Sequence, residues 1–153
     1  MQYFLKDPLS QGVAYPIIGN NSAQFTVADP VYIDGDGFIA LATAGSLVFG
    51  YAIDDITMAS DNETVAKVCP KIAPALGHIM SYPNNGAHDF VQTDIGTKAD
   101  FSTATTGAFD INNTTAAHGQ VFILGFDPRG EADNDQGVVT VAELQNFGYA
   151  QAT

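Results

Sequence analysis

Short apolar segments divided by turn residues are the feature that most constrains how this chain folds. The run Leu47–Ile53 is apolar throughout, which predicts a central strand covered on both faces. The tetrapeptide Asp34–Gly37 that precedes it predicts a tight turn, because Asp-Gly pairs tolerate positive φ angles. Turn residues recur at intervals of about 8–12 residues, a spacing typical of all-β domains. The pattern predicts about seven to nine strands in a small β-barrel or β-sandwich.

Composition supports strands over helices. Only 14% of the 153 residues are charged, and 15 are glycine, whereas an average globular domain is ~25% charged. A helical bundle needs solvated faces rich in Lys and Glu, and this chain has none. The length fits one domain, since compact domains usually hold roughly 100–150 residues.

Two further local features refine the strand pattern. Gly50 inside the apolar run predicts a bulge or a close approach of another backbone. Residues Thr140–Phe147 match a helical capping box, but the β-branched residues before Ala142 favour a strand with a frayed end. The other predicted strands are Val31–Ile33, Phe38–Ala42, Ile56–Ala59, Thr64–Lys71, Val121–Phe126 and Val138–Val141.

Periodicity divides the chain into unequal parts. Residues 29–153 are predicted to form the β domain, with 77–120 as an irregular insertion or lobe rich in Gly, Asn and Thr. Residues 1–28 have no sustained period and are too apolar for a disordered tail, which predicts an extended arm that is dispensable for folding. Its side chains need grooves on its own domain or on a neighbouring chain. The candidate partner-binding residues are Tyr3, Phe4, Leu5, Tyr15, Ile17, Ile18 and Phe25.

The charge balance is strongly acidic, with 17 Asp and Glu against 5 Lys and Arg and a net charge of −12. The cations are scattered singly, so no basic stripe exists to neutralise phosphates, and nucleic-acid binding is not expected. An anionic membrane surface would repel the chain for the same reason. The acidity leaves two interpretations. It keeps the protein soluble, or it attracts the protein to a basic partner or to cations.

The sequence predicts a protein that is made in a reducing cytoplasm and does not span a membrane. It has no apolar run of about 18 residues and no basic segment followed by a long apolar stretch near Met1. The single cysteine, Cys69, cannot close an internal disulfide. It lies in an apolar run, which predicts a buried and inert thiol.

Residue spacing does not predict an enzyme or a cofactor. His78, His88 and His118 have none of the spacings of a zinc site. The chain has no nucleophile elbow, phosphate-binding loop or dinucleotide fingerprint.

Calcium is the only metal ion for which the sequence offers candidate ligands. If Gly137 and Glu143 took positions 6 and 12 of an EF-hand loop, Asp133 and Asp135 would miss the ligand positions, so the register is wrong. A looser oxygen site at Asp133 and Asp135, or at Asp34 and Asp36, is the remaining alternative.

Three stretches of the chain together resemble one known family: Asp29–Asp55, the residues from Ile95 to Ile111, and Val121–Pro128. Asp29–Asp55 reads D-P-V-Y-I-D-G-D-G-F-I-A-L-A-T-A-G-S-L-V-F-G-Y-A-I-D-D. It is similar to the opening hairpin and following strand of bacteriophage capsid decoration (cement) proteins of the β-tulip or β-barrel type. The residues from Ile95 to Ile111 resemble the small irregular lobe of those proteins, and Val121–Pro128 resembles their returning strand. The resemblance covers about three quarters of the chain and implies a β-tulip-like fold.

The same resemblance implies a structural virion protein on the outer capsid surface, made in the host cytoplasm. Its implied partners are the major capsid protein, whose subunits it would bridge, and neighbouring copies of itself in a trimer or dimer. The arm 1–28 would lie across capsid subunits or an adjacent copy.

The alternative function is a carbohydrate- or cell-surface-binding β module of a head fibre or tail adhesin. Aromatic residues such as Tyr82 or Phe90 would then form a stacking platform. The absence of Trp from the chain counts against this alternative.

Overall fold

The computed structural model of the chain describes residues 3–4, 13–14, 16–74, 79–83, 90–103, 109–112, 119–126 and 138–143. Within these ranges the regular structure consists of strands, one π-helical turn at Asn62–Ala66 and one 3₁₀ turn at Gln92–Asp94. The strands are β1 (Tyr3–Phe4), β2 (Val13–Ala14), β3 (Gln24–Phe25), β4 (Pro30–Ile33), β5 (Ile39–Leu41), β6 (Gly50–Ala52), β7 (Ile56–Thr57), β8 (Lys71–Pro74), β9 (Ile79–Pro83), β10 (Lys98–Thr103), β11 (Asp110–Asn112), β12 (Val121–Phe126) and β13 (Val138–Glu143).

These strands form three antiparallel sheets, which confirms the predicted all-β class. The six-stranded sheet has the order β1-β9-β13-β12-β10-β11, the five-stranded sheet has the order β2-β8-β6-β4-β5, and β3 pairs with β7. No barrel closes among the described strands. The sequence predicted a β-barrel or a β-sandwich, and these sheets pack in layers, as the sheets of a β-sandwich do.

The five-stranded sheet lies between two hydrophobic cores. In β4, Val31 belongs to one core, while the next residue, Tyr32, packs against the other. In β6, Tyr51 belongs to the same core as Tyr32, and Ala52 belongs to the same core as Val31. Because successive side chains of a strand point to opposite faces, this alternation places a core on each side of the sheet.

The first core joins the six-stranded sheet to the five-stranded sheet. Its aromatic rings meet edge to face, with centroid distances of 5.5 Å between Tyr82 and Phe101 and 5.7 Å between Phe101 and Phe109. Its buried members are Ala42, Val48, Tyr51, Met80, Tyr82, Phe90, Ala99, Phe101, Phe109, Ile111, Val121 and Ile123.

The second core lies between the five-stranded sheet and the β3–β7 pair. Phe25 of β3 is its largest member. The other buried members are Val31, Ile39, Ala52, Met58 and Ile72.

The described residues of the range 77–120 are part of the main fold. They supply β9, β10 and β11 to the six-stranded sheet, and Phe90, Phe101 and Phe109 are buried in the first core. The sequence predicted an irregular insertion or lobe over 77–120, and the described residues of this range contribute to the six-stranded sheet and the first core. The short apolar groups in this range are core positions, because strands of a buried sheet need only a few apolar residues each.

The N-terminal 28 residues contact their own domain wherever the structure describes them. β1 pairs with β9, β2 pairs with β8, and β3 pairs with β7. Gly19 makes a further backbone bridge with Ile39 of β5. The described residues of this segment therefore pair with strands of their own domain, and its contact with a neighbouring chain stays a prediction.

The predicted strand Thr64–Lys71 is wrong. Residues Asn62–Ala66 form the π-helical turn, and Lys67 ends it in the left-handed region with φ of 51°. Pairing begins only at Lys71. The cause is the buried side chain of Asn62, which bonds to both backbone polar groups of Val68 and thereby holds the chain in a loop. Cys69 is half-buried, less enclosed than predicted.

Several local predictions are confirmed. β4 and β5 form a hairpin around Asp34–Gly37, and β12 spans Val121–Phe126 as predicted. Val138–Glu143 is a strand, so residues Thr140–Glu143 of the capping-box segment have β structure and not a helix. A Cβ atom on Gly50 would strike the carbonyl oxygen of Ala73 and the side chain of Ile72, so this glycine does permit a close backbone approach.

Candidate interaction surfaces

The buried polar side chains are engaged in holding the sheets together. The Gln120 amide donates from Nε2 to the carbonyl oxygens of Thr43 (3.0 Å) and Ser46 (2.8 Å). Its Oε1 accepts a 3.0 Å bond from the amide of Phe101. One side chain therefore ties the six-stranded sheet to the turn that precedes the apolar run of the five-stranded sheet.

Tyr82 makes a second polar link between layers. Its hydroxyl donates to the carbonyl oxygen of Ala28 at 2.9 Å. Burial, and then the nearby carboxylate of Asp29, raise the pKa of Tyr82 well above its usual value, because both disfavour the charged phenolate. Tyr82 is therefore a neutral, structural hydrogen-bond donor.

The predicted glycan platform does not exist at the residues named for it. Tyr82 and Phe90 both have an exposed fraction of 0%. A ring that stacks on a sugar must present a face to solvent, whereas these two rings are part of the first core.

Asp34 organises its own turn. Its Oδ1 accepts bonds from the amides of Asp36 (3.0 Å) and Phe38 (2.9 Å), and its Oδ2 accepts a 2.9 Å bond from Nδ2 of Asn20. The carboxylate is thus occupied by donors from the turn and from the N-terminal segment. This is the behaviour of an Asp that stabilises a turn.

No metal centre is found in the described part of the chain, where no group of three or more His, Cys, Asp and Glu side chains comes together. Asp34 and Asp36 therefore do not lie in such a group. The other weak candidates, Asp133 and Asp135, fall outside the described residues, as do His78, His88 and His118.

The predicted arm residues have different environments. Phe25, with an exposed fraction of 1%, is a core residue and offers no surface to a partner. Ile17 is half-buried and packs against the second core. Ile18 is half-buried and its carbonyl accepts a bond from the amide of Ile39. Tyr3 and Phe4 form β1, and Leu5 and Tyr15 lie outside the described residues.

An apolar groove opens beside the end of β4. The amide of Phe49 donates to the carbonyl of Val31 at 2.8 Å, which holds the chain before β6 alongside β4. Leu47 and Ile33 remain 60% and 40% exposed. The groove has a volume of ≈ 250 Å³ and is lined by Tyr32, Ile33, Leu47, Val48 and Phe49. We call these five lining residues the β4 groove.

A second exposed apolar surface is built on the π-helical turn. Val65 is 72% exposed and Val68 is 44% exposed, and the exposed Lys67 lies between them in the chain. We call Val65 and Val68 the π-turn surface. The side chain of Asn62 positions it, donating to the carbonyls of Gly19 (2.6 Å) and Val68 (3.0 Å) and accepting from the Val68 amide (2.9 Å).

A third exposed apolar surface lies on the six-stranded sheet. Backbone bonds from Gly96 to Ile123 (2.8 Å) and from Ile123 to Thr97 (3.1 Å) hold the segment after the 3₁₀ turn against β12. Val91 and Ile95 are each 40% exposed and Leu124 is 45% exposed. We call these three residues the β12 patch.

The sequence did not predict these surfaces. Leu47 was assigned to a buried strand, but pairing starts only at Gly50, which leaves Leu47 on the surface. Val65 and Val68 were assigned to an edge strand. The helical turn ends at Ala66, and Val68 follows Lys67, whose backbone is left-handed, so no local spacing signals the exposure of both valines.

Comparison with known proteins gives no relative for this chain. No protein family, no curated protein and no solved structure matches it. The resemblance to capsid decoration proteins therefore stays a prediction.

Within the described ranges, no helix has the length and apolar character needed to cross a membrane.

Proposed function

We propose that this protein is a structural virion protein that decorates a bacteriophage capsid and stabilises it by bridging major capsid protein subunits. The observation that carries the proposal is the set of three exposed apolar surfaces on different parts of the fold: the β4 groove, the π-turn surface and the β12 patch. A protein that joins subunits needs more than one contact surface, whereas a protein with one ligand needs only one pocket.

The interior of the protein supports a structural role. Gln120, Tyr82 and Asn62 use their polar atoms to connect layers and loops. Such buried bonds stabilise one arrangement of the sheets, because each broken bond would leave a desolvated polar group. A module that resists mechanical separation of its neighbours benefits from a body of this kind.

The physical task fits a protein of this size. Pressure from packaged DNA pushes capsid subunits apart, and a protein bound across a joint opposes that separation. Each apolar contact contributes roughly 25 cal/mol per Å² of surface removed from water. Many copies bound to one lattice add avidity without any new type of contact.

The net charge of −12 is compatible with a position on the capsid exterior. It keeps the protein from binding DNA during packaging, and it would attract the protein to basic regions of a shell. At physiological ionic strength such attraction acts over about 8 Å, so it adjusts docking at close range.

Cosedimentation tests this proposal directly. Empty shells assembled from a phage major capsid protein, taken from the genome that encodes this chain, are mixed with the purified chain and pelleted. We expect saturable binding and a higher temperature of shell disruption. Failure to pellet with such shells, combined with binding on a glycan array, would overturn the proposal in favour of a fibre or adhesin module.

A matched pair of variants locates the contact. Leu124→Asp places a charge in the β12 patch, and Gln92→Asp places the same charge on an exposed polar residue of the neighbouring 3₁₀ turn. We expect the Leu124 variant to bind shells at least tenfold more weakly than the Gln92 variant. Equal binding by the two variants would show that the β12 patch is not a shell contact.

A further inference from the structure

The turn between β4 and β5 contains two consecutive Asp-Gly pairs, Asp34–Gly35 and Asp36–Gly37. An Asp followed by Gly is open to a spontaneous rearrangement of the main chain, because glycine has no Cβ atom to shield its amide nitrogen from the neighbouring carboxyl group. Both glycines are exposed, and a Cβ atom on either would meet nothing within 4 Å. Crowding around the nitrogen therefore does not distinguish the two pairs.

Hydrogen bonding does distinguish the two pairs. The half-buried Asp34 carboxylate accepts bonds from the amides of Asp36 (3.0 Å) and Phe38 (2.9 Å) and from Nδ2 of Asn20 (2.9 Å). The Asp36 side chain is exposed, and among the described residues none donates a bond to its carboxylate. The Cγ atom of Asp36 is therefore free to turn toward the next amide, whereas the Cγ atom of Asp34 is held in place by three donors.

We infer that Asp36 is a site of spontaneous covalent modification, at which the chain isomerises to an isoaspartyl linkage while Asp34 is protected. First, the nitrogen of Gly37 forms a bond to Cγ of Asp36, the Cγ–O bond of the protonated carboxyl group breaks, and the hydroxyl group leaves with the amide proton as water. Water then adds to the α-carbonyl carbon of this cyclic imide, whose bond to the Gly37 nitrogen breaks. The product has the same mass, and its main chain is longer by a methylene group.

Ring closure at Asp36 requires only a local opening of the turn. The amide of Gly37 must leave its present acceptor, the carbonyl oxygen of Asp34, at 3.1 Å. This is one bond in an exposed turn, and exposed turns open at a much lower free energy than the core does. At Asp34 the three bonds of the carboxylate must break instead, and bonds to a charged group are stronger than neutral ones.

The rearrangement would disturb the hairpin. The amide of Asp34 donates to the carbonyl of Phe38 at 2.9 Å, and the amide of Phe38 donates back to the Asp34 carboxylate. A longer main chain at Asp36 does not fit between these two bonds without distortion. The bond from Asn20 to Asp34 connects this turn to the N-terminal segment, so that connection should weaken as well. This chemistry does not depend on the decoration function.

Isoaspartate mapping of the full chain tests the inference. The purified protein is incubated for weeks at physiological temperature and digested, and electron-transfer fragmentation locates the isoaspartyl residue in the peptide that contains both pairs. We expect isoaspartate to form about tenfold faster at Asp36 than at Asp34, since one hydrogen bond to a charged group contributes that factor or more. The full chain kept unfolded in guanidinium chloride is the control, and there the two sites should react at similar rates.

Variants separate the effect of the structure from that of the Asp-Gly sequence. Asp36→Glu keeps the charge, but its ring closure would need a larger ring that forms more slowly, so the isomer at position 36 should disappear. Asn20→Ala removes one donor from Asp34 and should raise isoaspartate at Asp34 several-fold. Asn21→Ala is the matched control, because the Asn21 side chain accepts a bond from the amide of Glu63 instead.

Three outcomes would overturn the inference. They are equal or faster isomerisation at Asp34 in the folded protein, an isomer content at position 36 no higher than in the Asp36→Glu variant, and an Asn20 variant that matches the Asn21 variant at Asp34. The first two are read from proteins that keep every bond of the Asp34 carboxylate, so they remain decisive even if Asn20→Ala disturbs folding.

Discussion

The side-chain amide of Gln120 donates a 2.8 Å hydrogen bond to the carbonyl of Ser46, a residue 74 positions earlier in the chain. The same side chain also bonds to Thr43 and to Phe101. A single fully buried residue thus fixes the position of the six-stranded sheet against the loop that leads to Leu47. This connection holds the chain immediately before Leu47, which lines the β4 groove.

Gln120→Ala should therefore destabilise the fold. It leaves one buried amide and two carbonyls without this partner, which should cost about 2–4 kcal/mol of unfolding free energy. Urea unfolding followed by far-UV circular dichroism measures the loss. Gln92→Ala is the control, because Gln92 is exposed; equal stability of the two variants would contradict the structural role of Gln120.

Gly50→Ala should destabilise the five-stranded sheet. The added methyl group would meet the backbone carbonyl of Ala73 as well as Ile72, and backbone atoms cannot move aside as a side chain can. We expect a loss of about 1–3 kcal/mol. Gly35→Ala provides a matched comparison, since a Cβ there meets nothing within 4 Å; a Gly50 variant as stable as this one would refute the close approach.

Tyr82→Phe should cost about 1–2 kcal/mol at neutral pH, because the carbonyl of Ala28 loses its donor. Burial raises the folded-state pKa of Tyr82, so its contribution is fully present below the unfolded value of about 10 and is lost as pH rises toward the folded value. The stability gap between wild type and variant should therefore narrow above about pH 10. A gap that is constant with pH in equilibrium unfolding would contradict the assignment.

Deletion of residues 1–14 and deletion of residues 1–28 should have different outcomes. The shorter deletion removes two edge strands, β1 and β2, and none of the buried core residues named above. The longer deletion removes Phe25, whose loss from a core typically costs about 3–5 kcal/mol. We expect the first variant to show a cooperative thermal transition and the second to lose it; retention of that transition after both deletions would show that the segment is a dispensable arm.

The predictable part of the fold is the part encoded by neighbouring residues. The hairpin around Asp34–Gly37 follows from local turn chemistry, and β12 follows from a short apolar run bounded by turns. The close approach at Gly50 follows from a glycine placed inside a buried strand. Each of these predictions needed only a few consecutive residues.

The less predictable part depends on distant partners. Asn62 turns the chain away from a strand by bonding to Gly19, 43 residues away, and no local pattern reveals that acceptor. Phe90 and Phe109 are core residues within a Gly- and Asn-rich region, where composition predicted a lobe. The three exposed surfaces were missed for the same reason, because exposure of Leu47, Val65 and Leu124 is decided by what the rest of the chain leaves uncovered.

The position of the five-stranded sheet between two cores also accounts for the low charged fraction of the chain. In β6, where Gly50, Tyr51 and Ala52 are all buried, no position is left for a solvated side chain. The exposed charges Asp36 and Lys67 lie instead in the loops between strands. Substitutions of these two residues that alter solubility will therefore act on the loops that connect the strands of this sheet.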